Sequence, residues 1–207
     1  YHPVFMAVKE LVASGKIGKL NYLYSNRLSP GKIRSEEDVI WSFAPHDISM
    51  VLSIIGKEPE SVRTDSSCIL QKNIADIATI HLFFDNGLKS HITVSWLHPN
   101  KEQKLVVIGE KASLVFDDTK IWNKKLEIFP HVIQKINGKP NFIKSSSEYI
   151  AVPESEPLRN ECKHFIDIVN SQTLPVTDAN EGLRVLKILS AASLSVDKNK
   201  AYSLDLL

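Results

Sequence analysis

His46 is the side chain in this 207-residue chain best placed to move a proton. It belongs to the run Val39-Ile40-Trp41-Ser42-Phe43-Ala44-Pro45-His46-Asp47-Ile48-Ser49. Ile48, Val51, Leu52 and Ile55 then recur at the i, i+3, i+4, i+7 spacing of one apolar helix face. Ser42 reads as the N-cap, Pro45 as a first-turn residue and Gly56 as the stop. In that register His46 lies in the first turn, where the positive end of the helix dipole disfavours an imidazolium and favours Asp47 as an anion. A neutral imidazole fixed there can exchange a proton with a substrate hydroxyl. A histidine at a helix start can equally be a capping or packing residue.

Arg27, Lys32 and Arg34 cluster in and beside one short loop ahead of that helix, with Gly31 permitting tight backbone geometry. Guanidinium groups bind phosphate or carboxylate oxygens bidentately, so the cluster suits a phosphate, pyrophosphate or carboxylate. A solvated surface loop carries the same charges. Trp96-Leu97-His98-Pro99 closes a strand pattern, so Trp96 and His98 are candidates to line a cleft, although a strand-end Trp also serves as core. His91 shares the polar face of its strand with Lys89, Thr93 and Ser95, which suits solvent or a subunit contact.

Other chemistries find no support. The eight glycines form neither Gly-x-Gly-x-x-Gly nor a phosphate loop, and the seven histidines and two cysteines lack metal-ligand spacing. Ser145-Ser146-Ser147 has no nucleophile-elbow context. A net charge of +1 gives no reason to expect nucleic acid or an anionic membrane as partner, and no apolar run is long enough to span a bilayer. Hydrophobic residues at 43% and charged residues at 24% fit a globular chain able to bury a full core. Cys68 and Cys162 are expected to be reduced, buried thiols in a cytoplasmic protein.

The elements that must position these residues follow from periodicity. Val4, Val8, Leu11 and Val12 share a helix face that Gly15 ends. Lys19 to Arg27 alternates as a strand, Leu20, Tyr22 and Tyr24 against Asn21, Leu23 and Ser25. Beyond the His46 helix the pattern turns to strands: Val62 to Leu70, Ile77 to Phe84 and Leu88 to Trp96 around Asp85-Asn86-Gly87. Lys104 to Ile108 and Ala112 to Phe116 form a second hairpin, followed by Thr119 to Ile128. Phe129 to Ser147, rich in Lys, Asn and Ser, reads as a mobile excursion. Leu158, Cys162, Phe165, Ile166 and Val169 line one closing helix; Val185, Leu189, Ala192 and Val196 line another, opened by an Asp178–Glu181 capping-box pattern. The expected fold is α+β, an open, largely antiparallel or mixed sheet with helices on one face, in one domain spanning residues 1–207.

The element order, the Trp41 to Ile48 block and the tail from Leu158 to Ser195 resemble the C-terminal domain of the Gfo/Idh/MocA oxidoreductases. Asn26 to Arg34 followed by Trp41 to Ser49 is similar to the branch that oxidises nucleotide sugars such as UDP-N-acetylglucosaminuronate at C3, as is Leu105 to Asp117 around Gly109. The resemblance implies that His46 is the active-site histidine near nicotinamide and the reacting hydroxyl. It puts Arg27, Lys32 and Arg34 on the sugar-nucleotide side, with Trp41, Trp96 and His98 as further substrate-binding candidates. It implies NAD or NADP as cofactor, and a homodimer or homotetramer formed through the sheet face. Two departures stand out. Ser42 replaces the aspartate that the wider family often places four residues before the histidine. The Rossmann domain is absent, with its glycine fingerprint and its Glu-Lys-Pro lysine. The chain is thus expected to be the C-terminal, substrate-binding part of a longer dehydrogenase, inactive alone. The competing expectation is a non-catalytic binding or oligomerisation module.

Overall fold

Two turns of glycine and one close backbone approach set the first corner of the molecule. The computed structural model describes residues 1–31, 33–170 and 173–206, apart from the side chains at 134, 135, 144 and 206. Helix α1 (Pro3–Ala13) starts with proline in its first turn, and His2 caps it by accepting the Val4 N–H on Nδ1 at 3.2 Å. Val4 and Val8 are buried, and Gly15 and Gly18 take positive φ to turn the chain into β1 (Leu20–Pro30). Gly109 is sterically required: a Cβ there would stand 2.3 Å from the Ile17 carbonyl oxygen.

Helix α2 (Val39–Ile55) begins earlier than its sequence suggests. Asp38, not Ser42, is the N-cap, accepting from the N–H groups of Ile40 and Trp41, both at 3.0 Å. Pro45 therefore lies inside the helix, and His46 stands two turns in rather than in the first turn. The dipole field acts only over the terminal turn, so it does not reach His46. Gly56 closes the helix in the left-handed conformation, φ 79°, as its position implies. Ile48, Val51 and Leu52 are buried and Ile55 is half-buried.

The strands that follow are β2 (Ser61–Ser67), β3 (Ile77–Phe83), β4 (Lys89–Ser95), β5 (Leu97–Gly109) and β6 (Ala112–Asp117). The Asp85-Asn86-Gly87 hairpin forms as expected, with Gly87 at φ 77°. The segment expected as a strand from Thr119 splits into a short 3-10 turn, Trp122–Lys124, and β7 (Leu126–Ile136). The segment expected as a loop-like excursion forms strands instead. The second half of β7 pairs with β8 (Lys139–Lys144) around Asn137-Gly138, both at positive φ, and β9 (Glu148–Tyr149) follows. Asn-Gly between two apolar runs is a hairpin signal that the high lysine content obscures. Helices α3 (Pro157–Val169) and α4 (Ala179–Lys198), the short β10 (Tyr202–Ser203) and a 3-10 turn, Leu204–Leu206, follow. Asp178 caps α4 by accepting from the Glu181 N–H, but the Glu181 carboxylate accepts from Ser49 on α2 instead of reaching back to the cap.

The fold is α+β: an open mixed sheet in the order β10-β2-β3-β4-β1-β5-β6-β7-β8, with β9 beside β7. Its centre is β1, parallel to β4 and antiparallel to β5. Helices α1, α2 and α4 bury one face of the sheet in a continuous core containing Ile48, Ile80, Val107 and Ala192. Along β1, Leu23 and Ser25 are wholly buried, whereas Tyr22 and Tyr24 meet His91 on the other face. Helix α3 departs from the expected pattern. None of its residues is buried, and Leu158, Phe165, Ile166 and Val169 are exposed. Both cysteines are exposed too, against expectation: Cys68 follows the end of β2, and Cys162 lies on the uncovered side of α3.

Candidate functional site

Strand β1 sends every second side chain toward α2, and the third of these after Leu23 and Ser25 is Arg27. On the helix above, Asp47 follows His46 and is buried to 1% exposure. A carboxylate so placed needs partners, and β1 supplies two. Ser25 donates its hydroxyl to Oδ1, and Arg27 donates Nε–H to Oδ2 at 2.5 Å. The Arg27 side chain is only one-fifth exposed, and no other hydrogen bond or ion pair among the described residues engages its guanidinium. Arg27 is thereby pinned by Nε, with its Nη–H donors unclaimed among the described residues.

These residues border a cavity of about 500 Å³ lined by both Arg27 and His46. His46 is exposed; Phe5, Met50 and Phe116 supply apolar wall, and Gln103 and Asp118 supply polar edge. The far side is built from His2, whose ring stacks on Trp122 at 5.5 Å and lies 5.0 Å from Phe116. Its Nδ1 is occupied by the helix cap, so Nε2–H faces Asp118 at 3.2 Å. Lys125 is the second partner of Asp118. Burial pushes the Asp118 carboxyl up, but the hydrogen bonds from His2 and Lys125 outweigh it and bring it down to about 2. Asp118 is thus a fixed anion that ties the start of α1 to the loop after β6.

The sequence candidates separate on this framework. His46 and Arg27 share the cavity. Arg34 is exposed, pairs with Glu37 at 3.1 Å and receives Gln71 on its carbonyl, away from the cavity wall. Lys32 lies outside the described residues. Trp41 is part-exposed over a different depression, its Nε1–H donated to Ser193 at 3.0 Å. Trp96 is a core residue, 1% exposed, donating Nε1–H to Asp76 at 2.6 Å. Asp76 also caps the backbone of Ile69 and Leu70, so this indole braces the loop between β2 and β3. His98 is half-buried on β5 and turns back on the backbone of Asn100 at 2.7 Å. Asp47, Ser25, His2 and Asp118 were not among the candidates. The alternation Leu23-Ser25-Arg27, with polar residues on a helix-facing side, is the signal from which an acid above them could have been inferred.

Exposed imidazole, pinned guanidinium and apolar wall in one cleft suit a polar, ring-shaped ligand carrying an anionic group, and a proton transfer at one of its hydroxyls. The chain belongs to the GFO/IDH/MocA C-terminal domain family, whose family model matches residues 5–115. It is 27% identical over 198 residues to UDP-N-acetylglucosamine 3-dehydrogenase of Acidithiobacillus ferrooxidans, covering 94% of this chain and 58% of that protein. Inositol 2-dehydrogenase of Rhizobium meliloti is 21% identical over 215 residues, covering 99% of this chain and 62% of its own length. A solved structure of the Acidithiobacillus enzyme superposes with a TM-score of 0.77 at 24% identity, over 95% of this chain and 60% of the other. The chain therefore spans about three-fifths of the length of the relatives it matches.

Proposed function

We propose that this chain forms the substrate-binding domain of an NAD(P)-dependent oxidoreductase that moves a hydride between nicotinamide and a ring hydroxyl of a sugar or nucleotide sugar. The observation that carries the reading is the pairing of exposed His46 with Arg27, pinned by buried Asp47, in one cavity. Family membership and the names of the two curated relatives support the reaction class. When bound, the nicotinamide supplies the hydride acceptor or donor. The cleft's apolar wall of Phe5, Met50 and Phe116 fits a flat ring. The glycines of this chain make no phosphate cradle, so its share of such a cofactor is limited to the ring end.

The chain's own residues have separable tasks. Arg27 holds a phosphate or carboxylate of the substrate with its Nη–H groups. Gln103 donates to or accepts from ring hydroxyls, and Asp118 keeps the opposite edge anionic and fixed. His46 takes the proton as the hydroxyl becomes a carbonyl and returns it in the reverse direction. The same reading puts the protein in the cytoplasm and has it assemble through the sheet face that carries Tyr22, Tyr24 and His91.

The test uses the protein at the full length of its relatives, with UDP-N-acetylglucosamine or inositol as substrate and NAD or NADP as oxidant. His46→Ala is expected to lower kcat by about a hundredfold or more while changing KM by only a few fold. Unchanged turnover in that variant removes His46 from the mechanism. Binding without turnover in the wild-type protein favours the non-catalytic binding module.

A further inference from the structure

A row of side chains crosses the sheet on the face turned away from α1, α2 and α4. Cross-strand register sets it as Arg63, His81, His91, Tyr24, Val106 and Val115, one each from β2, β3, β4, β1, β5 and β6. His81 and His91 are direct cross-strand neighbours, both half-buried, with ring centroids 6.0 Å apart. The His91 ring lies parallel to Tyr24 at 5.1 Å, and its Nδ1 is 2.6 Å from the Tyr22 hydroxyl. Burial raises the Tyr22 phenol above its usual 10.0, so the phenol keeps its proton and donates it to Nδ1 of a neutral ring. Burial and the neighbouring His81 hold His91 below its usual 6.5.

The groups around this pair offer an imidazolium no counter-charge. On β3, His81 faces His91 with Thr79 and Phe83 on either side; on β1 the phenols of Tyr22 and Tyr24 face it; along β4, Lys89 and Thr93 flank it. Beyond β3, Arg63 stands opposite His81, and Asp65, the carboxylate nearest in register among the described residues, pairs with Arg63 at 3.5 Å. Beyond β1, Val106 and Ile108 stand opposite Tyr24 and Tyr22. Farther along β5, Lys104 is held by Glu102 at 3.7 Å and Asp117 at 3.9 Å. A proton on either ring thus meets like charge, from the other imidazole, Lys89 or Arg63.

This face has the size and make-up of a contact between two copies. From β2 to β6 it measures about 24 Å across the strands and about 23 Å along a seven-residue strand, roughly 550 Å² in plan and more once side-chain relief is counted. A stable pair buries about 800 Å² on each partner, with an apolar and aromatic centre and charges toward the rim. Tyr22, Tyr24, Val106 and Ile108 hold the centre here, and the Arg63–Asp65 and Glu102–Lys104–Asp117 charges lie toward the ends of the rows. Lys89 is the exception, its ammonium 5.7 Å over the Phe83 ring.

We propose that His81 and His91 make the contact between two copies of this chain through this face acid-released: the pair closes while both imidazoles are neutral and parts when they are protonated. The proposal rests on the sheet-face assembly of the functional reading and adds its control. Covering the face takes water from both rings and, in a two-fold contact, brings the same face of a second copy over them, so the closed pair excludes the extra charge. Protonation also puts a hydrogen on Nδ1 of His91, which the Tyr22 hydroxyl must turn round to accept. Association is therefore complete well above 6.5 and is lost as pH falls below 6.5 and through the His91 value, because the separated copies bind more protons.

Sedimentation velocity of the 207-residue chain at about pH 7.5 and about pH 5.5, from micromolar to about 100 µM, tests it. The dissociation constant is expected to rise at least about tenfold between the two. In the double variant His81→Gln with His91→Gln, the pair is expected to form at both pH values with constants within about threefold. Tyr24→Asp, on the same row, is expected to keep the chain monomeric at both. A wild-type pair that Tyr24→Asp breaks but acid leaves intact, or a pH response unchanged in the double variant, overturns the proposal and leaves the sheet-face reading standing. A chain monomeric at both pH values, or a pair indifferent to Tyr24→Asp, overturns both. Far-UV circular dichroism separates release from unfolding, and a wild-type signal lost together with association overturns the proposal. A second readout needs no histidine variant: the His91 Cε1–H resonance is expected to titrate at lower pH in the wild-type pair than in the Tyr24→Asp monomer, and equal values overturn it.

Discussion

Replacing Asp47 with alanine tests the framework of the site more sharply than changing His46, because the cost follows from burial alone. Asp47 is 1% exposed and receives the Ser25 hydroxyl and the Arg27 Nε–H. Its removal leaves a guanidinium, four-fifths buried, without a counter-charge. Breaking one side of a buried ion pair costs about 3–5 kcal/mol, and Arg27 recovers part of this by hydration from the adjoining cavity. Ser25 recovers part by donating to the Lys104 carbonyl, 3.2 Å away. A loss of about 2–3 kcal/mol is expected, read by urea unfolding, or as a midpoint lowered by roughly 4–12 °C for a chain of this size. Arg27→Met leaves the 1%-exposed Asp47 carboxylate with Ser25 alone and should cost at least as much. In the double variant Asp47→Ala with Arg27→Met the two losses should fall short of additive by about 1–3 kcal/mol, since each alone orphans the other. A single-variant loss below about 0.5 kcal/mol, or strict additivity, would show that the pair does not hold α2 on β1. It would also remove the basis for Arg27 as a fixed anion anchor.

Two further outcomes follow from the same frame. Asp118 is held at about 2 in the folded chain against 3.8 in the unfolded one. A depressed carboxylate contributes stability that is complete above the unfolded value and is lost as pH falls through 3.8 toward 2. Because the side chain is one-third exposed, the share is discounted to about 1 kcal/mol. Unfolding free energies between pH 5 and 2 should therefore fall less steeply for Asp118→Asn than for wild type; parallel curves would exclude the His2–Asp118–Lys125 tie. Gly109→Ala forces a Cβ against the Ile17 carbonyl at 2.3 Å. It should destabilise by more than about 2 kcal/mol in chemical denaturation, and a neutral result would mean that the α1–β1 corner yields easily.

The fold was legible where a local device announces itself. Gly56 stops α2, Asp178 caps α4, and Asp85-Asn86-Gly87 turns β3 into β4, each through interactions within a few residues. Errors arose where two local signals competed or where the partner is remote. Ser42 and Pro45 together imitate a helix start, but Asp38 caps about one turn earlier, and the buried stripe Val39-Ile40-Ala44 repays the hydrogen bond that Pro45 forgoes. The arm from Phe129 to Ser147 looks like a loop by composition, although Asn137-Gly138 between Val132-Ile133 and Phe142-Ile143 is a hairpin signature. Helix α3 has a fine amphipathic pattern, yet none of its residues is buried among the described residues, because periodicity says which face is apolar and not what lies against it.

The candidate site divides in the same way. The order of residues alone singled out His46 and the cation-rich approach through Arg27, because an imidazole and guanidinium groups are recognisable by their chemistry. It also determined the element order, the central hairpin and the α+β class, all set by side-chain period and turn chemistry over short spans. Only the tertiary structure decided that Arg27 reaches the His46 cavity while Arg34 pairs outward with Glu37 and Trp96 goes to the core beside Asp76. Only it found that Asp47, one residue from His46, is the buried anchor that fixes Arg27. These depend on strand register and on how α2 lies across β1, contacts between residues about 20 positions apart. No local rule sets them; they follow from where a buried charge can find a partner.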